Sequence, residues 1–150
     1  MNRIVRLILF LVLVVGGGLA IGFLTAPGEW YAGLAKPSFN PPNWLFAPVW
    51  TVLYILIAIA GWRIFERDRG GWPMRFWWAQ LVLNFAWSPV FFAAHQLGLA
   101  LVVILLLLAA IFAFIATAWR KDRPAAWMFV PYAVWVAFAS ALNASILALN

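Results

Sequence analysis

The side chains best placed to do chemistry in this chain are amides, hydroxyls and indoles. Gln80, Asn84 and Ser88 recur at i, i+4 and i+8, which sets them along one face of a helix. Trp135, Ala139 and Asn143 repeat that spacing further along. Trp50, Trp87 and Trp135 lie deep inside long apolar runs, away from the run ends where indoles gather as interfacial belts. No Asp, Glu, Lys or Arg accompanies them mid-run, so they cannot form a general acid–base pair. They can stack on a flat, apolar, polycyclic ligand and orient it with a few hydrogen bonds. The Gln80–Asn84–Ser88 stripe has an equally weighted alternative, as glue between helices at about 0.6 kcal/mol per contact.

Several chemistries are missing. There is no paired carboxylate, no Ser-His-Asp set and no metal-ligating cluster, and the lack of cysteine removes thiolate chemistry. His95, the sole histidine, reads as a solvated interfacial residue rather than a metal ligand. Glu29 reads as a helix N-cap or an ion-pair partner in a loop rather than a catalytic acid.

The elements that must position these groups are membrane helices. The chain is 67% apolar and only 9% charged, whereas a soluble domain carries about 25% charged residues. Five apolar stretches, at about residues 4–24, 44–62, 73–94, 97–119 and 125–149, each approach or exceed the roughly 20 residues that cross a bilayer. The expectation is an all-α, polytopic bundle of five transmembrane helices forming a single domain over residues 1–150. The first stretch is too long for a signal-peptide core, and Leu24 spoils the Leu24-Thr25-Ala26 cleavage candidate, so it reads as a retained helix.

The net charge of +6 could suggest nucleic acid, but the basic residues cluster at run ends, and nucleic acid is not expected as a partner. Arg3, Arg6, Arg63, Arg67, Arg69, Arg75, Arg120, Lys121 and Arg123 fall on one side of the alternating spans, and Lys36 alone on the other. By the positive-inside rule the N-terminus is cytoplasmic and the C-terminus outside.

The connection at His95–Gln96 is tight enough to make its flanking helices antiparallel neighbours. The outer loop over residues 25–43 is long and rich in proline, as lids and binding elements often are. Pro89 and Pro131 each remove a backbone donor and predict kinks. Gly18-xxx-Gly22 permits close helix approach, with packing inside the bundle preferred. Trp30, Trp44, Trp62, Trp72, Trp119 and Trp127 sit near span ends as belt residues, while Trp77 and Trp78 fit neither class. At about 1.5 Å per residue, Trp50 lies roughly 9 Å below its helix's outer end, and Trp87 and Asn84 roughly 10 and 15 Å below theirs. Together with Trp135, Ala139 and Asn143 they are expected to converge in the outer half of the bundle, beneath the loop.

Three separate motifs resemble the TspO/MBR family of tryptophan-rich sensory proteins, whose animal relatives are the mitochondrial translocator proteins. They are Trp30-Tyr31-Ala32-Gly33-Leu34-Ala35-Lys36-Pro37-Ser38-Phe39-Asn40-Pro41-Pro42 with Pro48-Val49-Trp50-Thr51, the helix from Ala79 to Phe92, and Val130-Pro131-Tyr132-Ala133-Val134-Trp135 with Ala141-Leu142-Asn143. The resemblance covers nearly the whole chain from about Gly22. It implies a five-helix bundle in a bacterial membrane, usually a homodimer, binding porphyrin or haem and other hydrophobic small molecules under the first loop, with no required cofactor. By motif position it implies Gly22, Tyr31, Pro42, Trp50, Asn84, Ser88, Trp135 and Ala139 as ligand residues, to which depth and spacing add Trp87 and Asn143. It also implies light- and oxygen-dependent porphyrin breakdown as an alternative activity, with Trp50 and Trp135 as catalytic candidates. The absence of charged residues mid-membrane disfavours ion-coupled transport but leaves passive transport of hydrophobic molecules as another alternative. The family's sterol pattern is incomplete, because no basic residue follows Tyr132, and cholesterol is not supported as a partner.

Overall fold

The computed structural model describes all 150 residues. The chain is wholly helical. Helix α1 spans Arg3–Leu24 with a π-helical turn at Val12–Gly16. A one-turn helix, α2, covers Glu29–Ala32. Helix α3, Phe46–Arg67, is entered through a 3-10 turn at Asn43–Leu45. Helix α4, Trp72–Ser88, runs on into a π-helical turn at Pro89–Ala93. Helices α5, Leu97–Ala118, and α6, Arg123–Leu149, complete the bundle.

Four helices are long and apolar enough to cross a membrane: Arg3–Leu24, Asn43–Arg67, Leu97–Ala118 and Arg123–Leu149. The span expected over residues 73–94 is not among them. With its π-helical turn α4 is as long as α1, so the difference lies in hydropathy, which Gln80, Asn84, Arg75 and its tryptophans dilute. The polytopic helical class stands, with α4 distinguished from its neighbours by its polar content.

The long helices alternate in direction. At one end Arg6 pairs with Glu66, Arg63 with Asp122 and Lys121 with Asp68, and the Trp62 indole donates to the Arg3 carbonyl at 3.0 Å. This basic end therefore gathers the start of α1, the α3–α4 connection and the α5–α6 connection. At the opposite, loop end Asn143 of α6 donates to the Leu97 carbonyl at 3.1 Å, and Asn150 bonds both the N–H and the carbonyl of Ala35.

The half nearer the basic end is tightly filled. Ala58, Ala60, Ala118, Ala125 and Ala126 are completely buried, letting α3, α5 and α6 approach closely. Such small-residue contacts matter because, within lipid, dispersion and hydrogen bonds rather than the hydrophobic effect hold helices together. Trp77 is also completely buried, against Gly61, where a Cβ would run into the indole. Its Nε1 donates to the Ile57 carbonyl at 2.9 Å. Phe114 and Phe129 meet with ring centres 4.0 Å apart. The outward surface is apolar instead: Leu99, Val102, Leu105, Leu106 and Phe112 of α5 all face away from the bundle. That reversal suits lipid as solvent.

The two prolines behave differently. At Pro89 the helix widens, and the Ala94 N–H reaches back five residues to the Pro89 carbonyl at 2.9 Å. Pro131 produces no break, and α6 continues through it as one helix. On α1, Gly18 lies against Tyr54 and Gly17 against Phe85, so part of the glycine face packs inside the bundle. Nothing lies within 4 Å of where a Cβ on Gly22 would stand.

Candidate functional site

A cavity of about 570 Å³ occupies the loop-end half, within the range of small-molecule sites. Helix α1 contributes Gly22 and Thr25, α3 contributes Trp50 and Tyr54, and α4 contributes Asn84, Trp87 and Ser88. Helix α6 closes the wall with Trp135, Ala139 and Asn143, and the loop supplies Tyr31. Of the ten residues singled out from the sequence, Pro42 alone does not line this cavity. It stands in extended backbone just before the 3-10 turn, where its fixed φ of −63° leads the chain into α3.

The aromatic walls are ordered against one another. Trp50 stacks on Tyr54 at 5.4 Å and meets Trp135 edge-on at 6.5 Å and 88°. Phe46 abuts Trp135 at 5.8 Å, and Trp87 lies 5.1 Å from Phe91. Most of the lining is therefore π-face and hydrocarbon, with polar groups at a few fixed points.

Those polar points divide into committed and available ones. The Asn84 amide donates to the Tyr132 hydroxyl at 2.7 Å, which donates in turn to Gln80 Oε1 at 2.8 Å. Gln80 is completely buried behind the cavity and serves this helix-to-helix network, so the stripe splits: Gln80 is glue, while Asn84 and Ser88 face the cavity. Asn143 accepts from Trp87 Nε1 at 3.0 Å while donating to Leu97, so it holds the indole in place. Thr25 Oγ donates to the Ile21 carbonyl at 2.7 Å, which leaves Ser88 as the donor in the 2.6 Å Ser88–Thr25 contact. The Trp135 Nε1–H is buried and has no partner, a condition that typically costs about 1–3 kcal/mol.

The loop is tied down at several points. Tyr31 is buried against Phe92, with ring centres 5.3 Å apart. Burial pushes the Tyr31 phenol above its ordinary pKa, partly offset by its bond to Asn40. Lys36 turns inward to the carbonyls of Tyr31 and Leu34 at 2.7 and 3.1 Å, 4.5 Å from the centre of the Tyr31 ring. Trp30 stacks on His95 at 4.0 Å. His95 is exposed and takes a left-handed φ of 58°, which reverses the chain between α4 and α5. Glu29 occupies the first turn of α2 while Gly28 takes the N-cap position, and Glu29 makes no ion pair, so both roles expected for it fail.

Sequence reasoning missed Thr25, Tyr54 and the α5 residues Ile104 and Leu107, all of which line the cavity. Tyr54 was detectable, four residues after Trp50 and so on the same helical face. Ile104 and Leu107 carry no signal in a uniformly apolar helix.

The sequence profile of the TspO/MBR family matches residues 9–149. The chain belongs to the TspO/MBR family. It is 41% identical over 135 residues to protein CrtK of Rhodobacter capsulatus, covering 87% of this chain and 84% of that protein. It is 36% identical over 135 residues to the tryptophan-rich sensory protein of Cereibacter sphaeroides, covering 90% and 85%. The translocator protein of Homo sapiens is 40% identical over 146 residues, covering 83% and 85%. With its apolar helices, this TspO/MBR member is an integral membrane protein.

Proposed function

We propose that this chain is a five-span tetrapyrrole-binding protein with a sensory or translocator role, taking porphyrin or haem into the cavity under the first outer loop. The observation that carries the reading is the aromatic wall formed by Trp50, Trp87 and Trp135 with only a few polar fixtures. Flat macrocycles match such walls by offset stacking. Asn84, Ser88 and the unpartnered Trp135 Nε1–H are the groups that would meet a ligand's polar edge. The names sensory protein and translocator protein among the relatives support the role. In this reading α4 is the fifth span, and the nine-to-one basic asymmetry sets the N-terminus inside a bacterial membrane and the C-terminus outside. A homodimer is the assembly proposed.

The test is titration of the purified protein with protoporphyrin IX. Saturable quenching of tryptophan fluorescence, weakened in Trp50→Phe and Trp135→Phe, supports the assignment. Unchanged affinity in both variants removes it.

The edge-to-face contact of Trp50 with Trp135 favours one second reading, in which these two indoles are redox partners of light-excited bound porphyrin and dioxygen, as the electron acceptor, degrades it. Illumination in oxygen should then destroy porphyrin absorbance and yield a new product faster with protein than in detergent alone. Equal loss in both removes that reading.

A further inference from the structure

At the basic end, far from the cavity, Arg3, Arg63, Glu66 and Arg67 wall a second pocket of about 400 Å³ in which no apolar residue takes part. The carboxylates there are already engaged. Arg6 grips Glu66 through Nε and Nη2 at 2.5 and 2.9 Å. Arg63 grips the buried Asp122 in the same way at 2.6 and 3.0 Å. Four arginines thus face two carboxylates, and two guanidiniums are in surplus. Arg67 reaches Asp122 only at 3.4 Å, with its side chain 56% exposed. Arg3 has no carboxylate within ion-pair distance, and its charge reaches Glu66 only from further off. Its guanidinium carbon lies 5.5 Å from the centre of the Trp62 ring, and the Trp62 indole also holds the Arg3 carbonyl.

A planar guanidinium is suited to phosphate because its fork donates two parallel hydrogen bonds. This pocket sits where helix ends and a half-buried tryptophan mark the membrane interface. Ile4 and Ile8, on the same helix as Arg3, present exposed apolar surface that acyl chains would cover. Basic pockets at this level are suited to lipid headgroups.

We propose that this pocket binds the phosphodiester headgroup of an anionic membrane lipid, with Arg3 and Arg67 contacting the phosphate and Trp62 holding Arg3 in place. Inorganic phosphate shares the chemistry but lacks the chains.

The test uses the delipidated full chain in neutral detergent, supplied with phosphatidylglycerol, phosphatidylcholine or inorganic phosphate. Bound lipid is counted by native mass spectrometry, and the unfolding midpoint is followed in parallel. Phosphatidylglycerol is expected to bind roughly tenfold more tightly than phosphatidylcholine, with the preference lost in the Arg3→Gln/Arg67→Gln double variant. Arg69→Gln/Arg123→Gln, which removes the same charge at the same end outside the pocket, should keep it. The double variant leaves the Arg6–Glu66 and Arg63–Asp122 pairs intact. If it nonetheless misfolds, Arg3→Lys keeps the charge and loses the fork, so a several-fold weakening supports the site and no change overturns it. Equal loss in both double variants, no lipid preference in the unmodified chain, or equal stabilisation by inorganic phosphate overturns the proposal.

Discussion

Trp77 and Trp135 are both deep tryptophans, one in the half nearer the basic end and one under the loop, and their surroundings differ in kind. Trp77 is completely enclosed, lies on the bare backbone of Gly61 and gives its N–H to a carbonyl. Trp135 is only half-buried, borders open space and leaves its N–H without a partner. The same contrast runs through the glycines, since Gly61 is overlain by the Trp77 ring while Gly22, on the cavity, faces nothing within 4 Å. Around Trp77 both the ring and its N–H are used inside the fold. Around Trp135 they are left available. Residue type alone does not distinguish core from site; the fate of the polar atom and the space beside the ring do.

This contrast can be tested by paired substitutions. The largest effect is expected at the centre of the bundle: Tyr132→Phe removes the hydroxyl that joins Asn84 to Gln80 and should lower stability by about 1–3 kcal/mol, read from chemical or thermal unfolding in detergent. Trp135→Phe, which deletes an N–H that has no partner, should cost much less in the same assay. Comparable losses for the two would break the distinction between used and available polar groups.

The glycine pair should differ in sign. Gly61→Ala pushes a methyl into the Trp77 ring and should destabilise by about 1–3 kcal/mol, whereas Gly22→Ala meets open space and should stabilise α1 by about 0.5–1 kcal/mol through lower chain entropy. Unfolding midpoints that shift together would contradict the packing described.

The smallest effect is expected from pH at the basic end. The Asp68 carboxyl is held below its usual range, chiefly by its bond to Lys121. A lowered carboxylate pKa contributes stability that is present above the unfolded value and lost as pH falls through the folded one. Acidification below about pH 4 should therefore cost the unmodified chain slightly more than Asp68→Asn, measured by unfolding midpoint against pH. The difference should be small, since the pair is exposed to solvent screening.

Much of this arrangement was legible in the sequence because a bilayer limits the alternatives. Apolar runs bounded by arginines give helices and their alternation, and i, i+4 spacing puts Asn84 with Ser88 and Trp135 with Ala139 on shared faces. What the spacing could not give was the partner across the interface. Gln80 lies on the same stripe as Asn84, yet the hydroxyl of Tyr132, 52 residues later, draws it into a helix contact. Trp77 could not be classed because burial depends on Gly61 of another helix. Pro89 and Pro131 look alike as donors lost, but only Pro89 lies near a helix end, where a π-helical turn can form before the chain reverses at His95. The polar content that makes α4 useful also makes it the helix least recognisable as a span.

The central claim, that the loop-end cavity is the ligand site, is tested most directly by filling it. Ala139 is buried on α6 and lines the cavity, so Ala139→Phe would place a ring in the space a macrocycle needs. Titration with protoporphyrin IX should show a several-fold to roughly tenfold loss of affinity, the scale of one displaced stacking contact, with helical content and the unfolding midpoint retained. Unaltered porphyrin affinity in a folded Ala139→Phe protein would contradict the account.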